Sequence, residues 1–435
     1  MTNIFKDKFN KTRGNLLFPI VLTTALFYLG CGDLDISNPN APVIEDAPVQ
    51  TLITGAEAGM RTSNHIYLWV VSAIGRESYY FEPADPRYTG ELLENTIDPG
   101  GFLLNNPWSS RYNVIANCNI LLNDKLPDLE AADAAGVEGF AKTITAYQLL
   151  LNLNLLNETG IKIDFSGDLT VPFASRTESL ARIVSLLDEG NSALDKAGSS
   201  FKFFLSSGFA GFDTPSTFAQ FNRAIKARVS IYQGNHAEAL TALGGSFIST
   251  SGDLETGVYH VYSTGLGDQT NNVFETPDAP FIKWMGHPTH EADAEAGDTR
   301  YTSKIVVRSE PTVFDFLTST LGVTITSSVT DPLPIIRNEE LILLRAEANI
   351  GLGNYSTAEA DINVIRAAAG LADSPTLDAT NALDQLLHEK RYSLFLEGYR
   401  WVDMRLYGKL GDLPIDRAGD VMIINFPKPE TETEG

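Results

Sequence analysis

One local pattern occurs twice in this chain and narrows its architecture more than any other. Tyr232-Gln233-Gly234-Asn235-His236 and Gly351-Leu352-Gly353-Asn354-Tyr355 set a Gly-Asn pair at the same point between two amphipathic runs. Glycine accepts the left-handed backbone that ends a helix, so the pair predicts a tight turn between antiparallel helices. The apolar spacing predicts helices over 218–232 and 236–243, then over 338–352 and 355–368. Ala224 and Ala227 in one unit, and Ala346 and Ala348 in the other, are small enough at the crossings for close approach. The chain has 435 residues, 43% hydrophobic and 20% charged, which supplies a sizeable core and excludes disorder, collagen and coiled coil.

The same periodicity recurs upstream. Leu52, Ala56, Gly59 and Met60 share a helical face, and a second helix is expected over 65–75. Residues 76–107 read as an excursion rich in Gly, Pro, Asp and aromatics. Trp108, Tyr112, Ile115, Ala116, Asn119 and Leu122 then mark a buried-face helix, Val137 to Leu156 another, and Ser179 to Leu194 a third, with Thr177 as N-cap. Residues 246–335 break the pattern with Ser, Thr and Gly runs and short β-branched segments such as Ile305-Val306-Val307. The expected fold is therefore mostly α. Tetratricopeptide-like helix pairs form a right-handed superhelical scaffold that carries a large irregular, loop-rich insertion. The expected division is a leader at 1–30, a tether at 31–50, a helical region at 51–245, the insertion at 246–335 as ligand or partner surface, and a C-terminal helical region at 336–435.

The leader has an export pattern. Lys6, Lys8, Lys11 and Arg13 precede an apolar stretch from Leu16 to Leu29, shorter than the roughly 20 residues of a membrane-spanning helix. It ends at Tyr28-Leu29-Gly30-Cys31, which resembles the bacterial lipobox, where the cysteine thiol is acylated and becomes the mature N-terminus. Gly32-Asp33-Leu34-Asp35 then resembles a surface-export signal of outer-membrane lipoproteins. Cys118 is left without a partner and, in apolar helical surroundings, reads as a buried inert thiol. The formal charge of −23 argues against a nucleic-acid partner, because phosphates need a basic face.

The chain has no Gly-rich phosphate loop, no H-E-x-x-H and no G-x-S-x-G, so it lacks the central motifs of several enzyme classes. Nothing singles out a carboxylate pair for glycoside hydrolysis. His287 and His290, with Glu291 and Asp293, are the densest group of ligand-type residues, but they do not complete a metal shell and read as a solvated loop. Two aromatic clusters suit sugar capture, in which rings stack on C–H faces while polar neighbours bond hydroxyls. One is Tyr79, Tyr80, Phe81 and Tyr88 with Arg76, Glu77, Asp85 and Arg87. The other is Phe281 and Trp284 with Lys283 and His287, near Tyr259 and Tyr262. The competing reading is that these rings anchor loops in the core or face a partner protein.

A family resemblance rests on residues spread over nearly all of the mature chain. Arg337-Asn338-Glu339-Glu340-Leu341 leads into Leu344-Arg345-Ala346-Glu347-Ala348; Asn363, Arg366 and Gly370 follow. His388-Glu389-Lys390-Arg391 precedes Glu397-Gly398-Tyr399-Arg400-Trp401-Val402-Asp403-Met404-Arg405. Together with the helix from Trp108 to Leu122, Asp298-Thr299-Arg300 and Phe426-Pro427-Lys428-Pro429, this run resembles the SusD/RagB starch-utilisation lipoproteins. The resemblance implies a non-catalytic outer-membrane lipoprotein held by lipid at Cys31 and exposed at the cell surface. It would need no cofactor, would capture oligosaccharides and would deliver them to a SusC-like TonB-dependent transporter. Peptide capture and a structural adaptor role are the alternatives. Glu389, Arg391, Glu397, Arg400, Asp403 and Arg405 sit on or near one helix at spacings that allow ion pairs along it, and read as a structural clasp tying the C-terminal helix to the bundle.

Overall fold

The computed structural model describes residues 47–165, 170–276 and 279–432. The leader, Cys31 and the tether up to residue 46 lie outside them. In chain order the helices are α1 (Val49–Arg61), α2 (Asn64–Ile74), α3 (Gly90–Glu94), α4 (Phe102–Ile120), α5 (Ala131–Leu156), α6 (Arg176–Leu194), α7 (Pro215–Tyr232) and α8 (His236–Gly244). They continue with α9 (Pro288–Ala292), α10 (Thr299–Lys304), α11 (Asn338–Gly351), α12 (Tyr355–Ala368), α13 (Ala382–Ser393) and α14 (Arg400–Leu406). The strands are β1 (Ser78–Tyr80), β2 (Gly257–His260), β3 (Trp284–Gly286), β4 (Ile305–Phe314), β5 (Leu317–Val323) and β6 (Leu333–Arg337).

The scaffold is mostly helical, and its helices pair as the Gly-Asn turns predict. Gly234 and Gly353 have φ of 72° and 77°, in the left-handed region. In each turn the Asn amide reaches back to close the helix: Asn235 N to Ser230 O, and Asn354 N to Asn349 O, both at 2.8 Å. Helix α5 is the axis of the N-terminal half. From Ala135 to Leu156 nearly every residue is buried, because α4, α6 and α7 cover its sides. Cys118 lies in this core as an isolated buried thiol whose pKa burial pushes up to about 12. Helix α6 begins earlier than Thr177 suggests. Ser175 is the N-cap, its hydroxyl accepting from Glu178 N while the Glu178 carboxylate accepts from Ser175 N.

Residues 246–335 are more regular than the sequence suggests, since they carry five of the six strands. An antiparallel four-stranded sheet runs in the order β1-β3-β5-β4, and β2 pairs with β6. Strand β1 comes from the N-terminal region, so the sheet stitches the insertion to the excursion after α2. Strand β4 is an edge, and its register shifts between Val307 and Thr312, around Pro311. Such an irregularity discourages pairing with another chain.

The C-terminal charges do not pair along one helix. Their partners lie on other elements, because most of these side chains point into the interior. Glu389 accepts from Arg300 and Arg366, both at 2.6 Å, and Arg391 donates to Asp293 at 2.6 Å. Glu397 accepts from Arg337 at 2.7 Å, and Asp403 from Lys390 at 2.8 Å. Arg405 donates to the Asn154 and Ile424 carbonyls, while burial lowers the pKa of Arg400 to about 10. Removing one partner of such a buried pair costs about 3–5 kcal/mol, because the other charge is stranded.

His287 and His290 are not on a solvated loop. Both are buried. His287 caps α9 by accepting from Thr289 N and lies 3.0 Å from the Asp416 carboxylate. His290 stacks on Phe395 and Tyr392 at centroid distances of 3.9 and 4.7 Å.

Candidate functional site

Strand alternation divides the first aromatic cluster in two. Successive side chains of β1 leave on opposite faces, so Tyr79 and Phe81 point one way and Tyr80 the other. Tyr79 and Phe81 stack at 5.3 Å and join Leu93, Ile282, Met285 and Leu317 in a buried cluster. Tyr79 also lies against His287 at 5.0 Å. Arg76 is buried beside them, with φ of 51°, donating to the Ala73 and Pro414 carbonyls. Trp284 pairs with Tyr80 across the sheet and is buried, its indole N–H donating to Ser78 Oγ at 2.9 Å. Of the second cluster, Phe281 is 41% exposed, next to a Lys283–Glu82 ion pair.

Tyr80 begins a different arrangement. Its ring stacks on Trp69 at 4.0 Å and meets Tyr88 at 4.6 Å; Tyr88 meets Phe102 edge-on at 5.5 Å. His65, one helical turn before Trp69, extends the series at 4.9 Å. The ladder runs from covered rings to the half-buried Phe102, over which the Arg87 guanidinium sits at 4.5 Å. Arg87 is held there by two hydrogen bonds to Asp85, at 2.8 and 2.7 Å. The phenols of Tyr80 and Tyr88 have no hydrogen-bond partner among the described residues, and neither does the buried Nε1 of Trp69. Burial, followed by Glu275 for Tyr80 and Asp85 for Tyr88, raises both phenol pKa values, so both remain donors.

The β4–β5 hairpin tip stands beside this ladder. Asp315 accepts from Thr89 Oγ1 at 2.8 Å, and Arg417 clasps both Asp315 and the Thr89 carbonyl. The two turn residues, Asp315 and Phe316, have φ of 50° and 61°, the pattern of a type I′ hairpin that favours Asn-Gly. Phe316 nevertheless occupies the second position, and it is 95% exposed. A bulky exposed aromatic in a left-handed conformation is locally costly.

The sequence therefore singled out Tyr80 and Tyr88 together with Tyr79 and Phe81, which the fold turns away. It missed Trp69, Phe102 and Phe316. The His65-x-x-x-Trp69 spacing was the available signal for Trp69; nothing local distinguishes Phe102 or Phe316. None of Arg76, Tyr79, Tyr80, Phe81, Tyr88, Phe281, Trp284 and His287 lines the best-formed cavity, which lies between the helices and the β2–β6 pair.

The profile of the SusD family matches residues 314–422, from the hairpin tip through the C-terminal helices. Over these residues the chain is similar to the SusD/RagB family. The chain is 24% identical over 394 residues to SusD-like protein P38 of Formosa agariphila, covering 73% of this chain and 75% of that one. Solved SusD structures share its fold. A laminarin-binding SusD-like protein superposes with a TM-score of 0.65 at 19% identity, covering 88% of this chain and 96% of that one. NanU of B. fragilis gives 0.63 at 16% identity, over 87% and 94%.

Proposed function

We propose that this SusD-family chain is a non-catalytic cell-surface lipoprotein that captures oligosaccharides on the Tyr80–Tyr88–Phe102 ladder and passes them to a SusC-like TonB-dependent transporter. The observation that carries the reading is the ladder's outer end. A sugar ring resting on Phe102 and Phe316 would offer its hydroxyls to Arg87, Asp85 and the open Tyr80 and Tyr88 phenols. Stacking plus a few fixed polar groups is how apolar ring faces and hydroxyls are held together. The laminarin-binding relative of the same fold supports glycan as the ligand class. No helix among the described residues is long and apolar enough to cross a membrane.

The test is a glycan array followed by calorimetry with the best oligosaccharide, including laminarin fragments. Binding weakened by Phe102→Ala is expected; binding confined to peptides would replace the ligand class. New reducing ends after incubation with polysaccharide would overturn the absence of catalysis. A pull-down from detergent-solubilised native membranes is expected to recover a TonB-dependent barrel near equal stoichiometry, and recovery of no barrel would remove the transport step.

A further inference from the structure

We infer that the protein has a second, deeper binding site, for one neutral polyhydroxylated ring the size of a monosaccharide. The site is the cavity of about 390 Å³ between α5, α7 and the β2–β6 pair. That volume is at the small end of the roughly 300–1,000 Å³ of ligand pockets, so it admits one ring and not a chain. Its mouth lies at the exposed Glu255, Ser303 and Pro332, and its inner wall is buried.

Two features of that wall select the ligand. The first is the ring surface. Tyr67, Tyr147, Tyr232, Tyr259, Phe395 and Tyr399 all line the cavity, an unusual density of flat apolar faces with polar tips. The second is charge. Every ionic group of the wall is already engaged. Arg228 is bidentate to Glu340, at 2.7 Å for both bonds, and Arg337 binds Glu397 at 2.7 Å. Lys304 donates to the Tyr392 and Ser393 carbonyls. Asp331 accepts from Ser327 and Ser328, and Glu255 faces Arg337 at 3.3 Å. The wall's three cations, Arg228, Lys304 and Arg337, are balanced by three carboxylates, Glu255, Asp331 and Glu397, so it presents no net charge to a ligand.

The open groups are neutral. The hydroxyls of the buried Tyr147 and Tyr232 have no hydrogen-bond partner among the described residues. Unmatched polar groups in a buried wall are costly unless water or a ligand satisfies them. A pyranose would meet both requirements, setting its C–H faces on the tyrosine rings and its hydroxyls on these two groups.

The test is saturation-transfer NMR on the purified protein with glucose, galactose, mannose and N-acetylglucosamine, each at about 10 mM, within the range of weak small-molecule binding. At least one sugar is expected to receive saturation. The double variant Tyr147→Phe/Tyr232→Phe, which keeps both rings, is expected to weaken that binding about tenfold through lost hydrogen bonds. Leu151→Trp, which fills the cavity, is expected to abolish it, the comparison being made in the Phe102→Ala background so that the surface ladder does not contribute. Silence from all four sugars in that background, or retention of the signal in the double variant, would overturn the site. Binding of inorganic phosphate in preference to the sugars would overturn its neutral character. The double variant is nearly isosteric, so the test stands even where Leu151→Trp does not fold.

Discussion

Tyr79 and Tyr80 are neighbours of one residue type, both almost wholly covered, and they face different worlds. Tyr79 lies in a cluster with Phe81, Ile282 and Met285, closed behind by His287. Tyr80 begins a ladder that ends at the half-buried Phe102 beneath Arg87. The difference comes from the two-residue period of a strand. It shows that fractional burial separates the two faces poorly. What separates them is whether a row of rings ends in the core or at a surface lined with open hydroxyls.

The largest expected effect is on the closed face. Phe81→Ala should destabilise the fold by about 3–5 kcal/mol in a urea titration, because the residue is fully buried, while the folded fraction keeps its affinity for glycan. A large affinity loss at full stability would reverse the assignment of the two faces.

His290, also inside, gives a pH signature. Burial lowers its pKa from 6.5 to about 2, so it stays neutral in the folded chain while the unfolded chain takes up a proton below pH 6.5. Its contribution is present above that pH and is lost as pH falls. By pH 5 the loss is about 2 kcal/mol relative to pH 8. In His290→Phe that part of the acid sensitivity should vanish, so the stability gap between variant and wild type should change by this amount over the same pH range.

On the open face the signs separate. Phe316→Gly should stabilise the hairpin by about 1 kcal/mol, because glycine accepts the positive φ, yet it should weaken glycan binding. Stability and function moving in opposite directions would mark Phe316 as a residue kept for contact. Tyr88→Phe is the subtlest. It should move the melting midpoint by less than the equivalent of about 0.5 kcal/mol, since its hydroxyl has no partner among the described residues, while lowering glycan affinity several-fold. An unchanged affinity would restrict the ligand to Phe102 and the hairpin tip.

Legibility followed the range of the determining contacts. The paired helices could be read because a Gly-Asn turn is specified within five residues. The start of α6 was misplaced by two residues, since Ser175 and Glu178 complete a capping box that outcompetes Thr177. The sheet was not legible, because β1 pairs with β3 some two hundred residues away, and a three-residue strand carries no pattern of its own. Distance also hid the partners of the C-terminal charges: spacing suggests pairs along a helix, but Glu389 meets Arg300 and Arg366 from other elements. At the candidate site, composition drew attention to Tyr80 and Tyr88. Trp69 and Phe102 sit on helices, where an aromatic ring ordinarily means core, and only the assembled fold shows the ladder they complete.

The most direct measurement is the calorimetric affinity of Phe102→Ala for the oligosaccharide that the wild type binds best. Loss of the ring under Arg87 should weaken binding about tenfold, or 1.4 kcal/mol, with the melting temperature little changed. Wild-type affinity in this variant would contradict the placement of the ligand on the ladder.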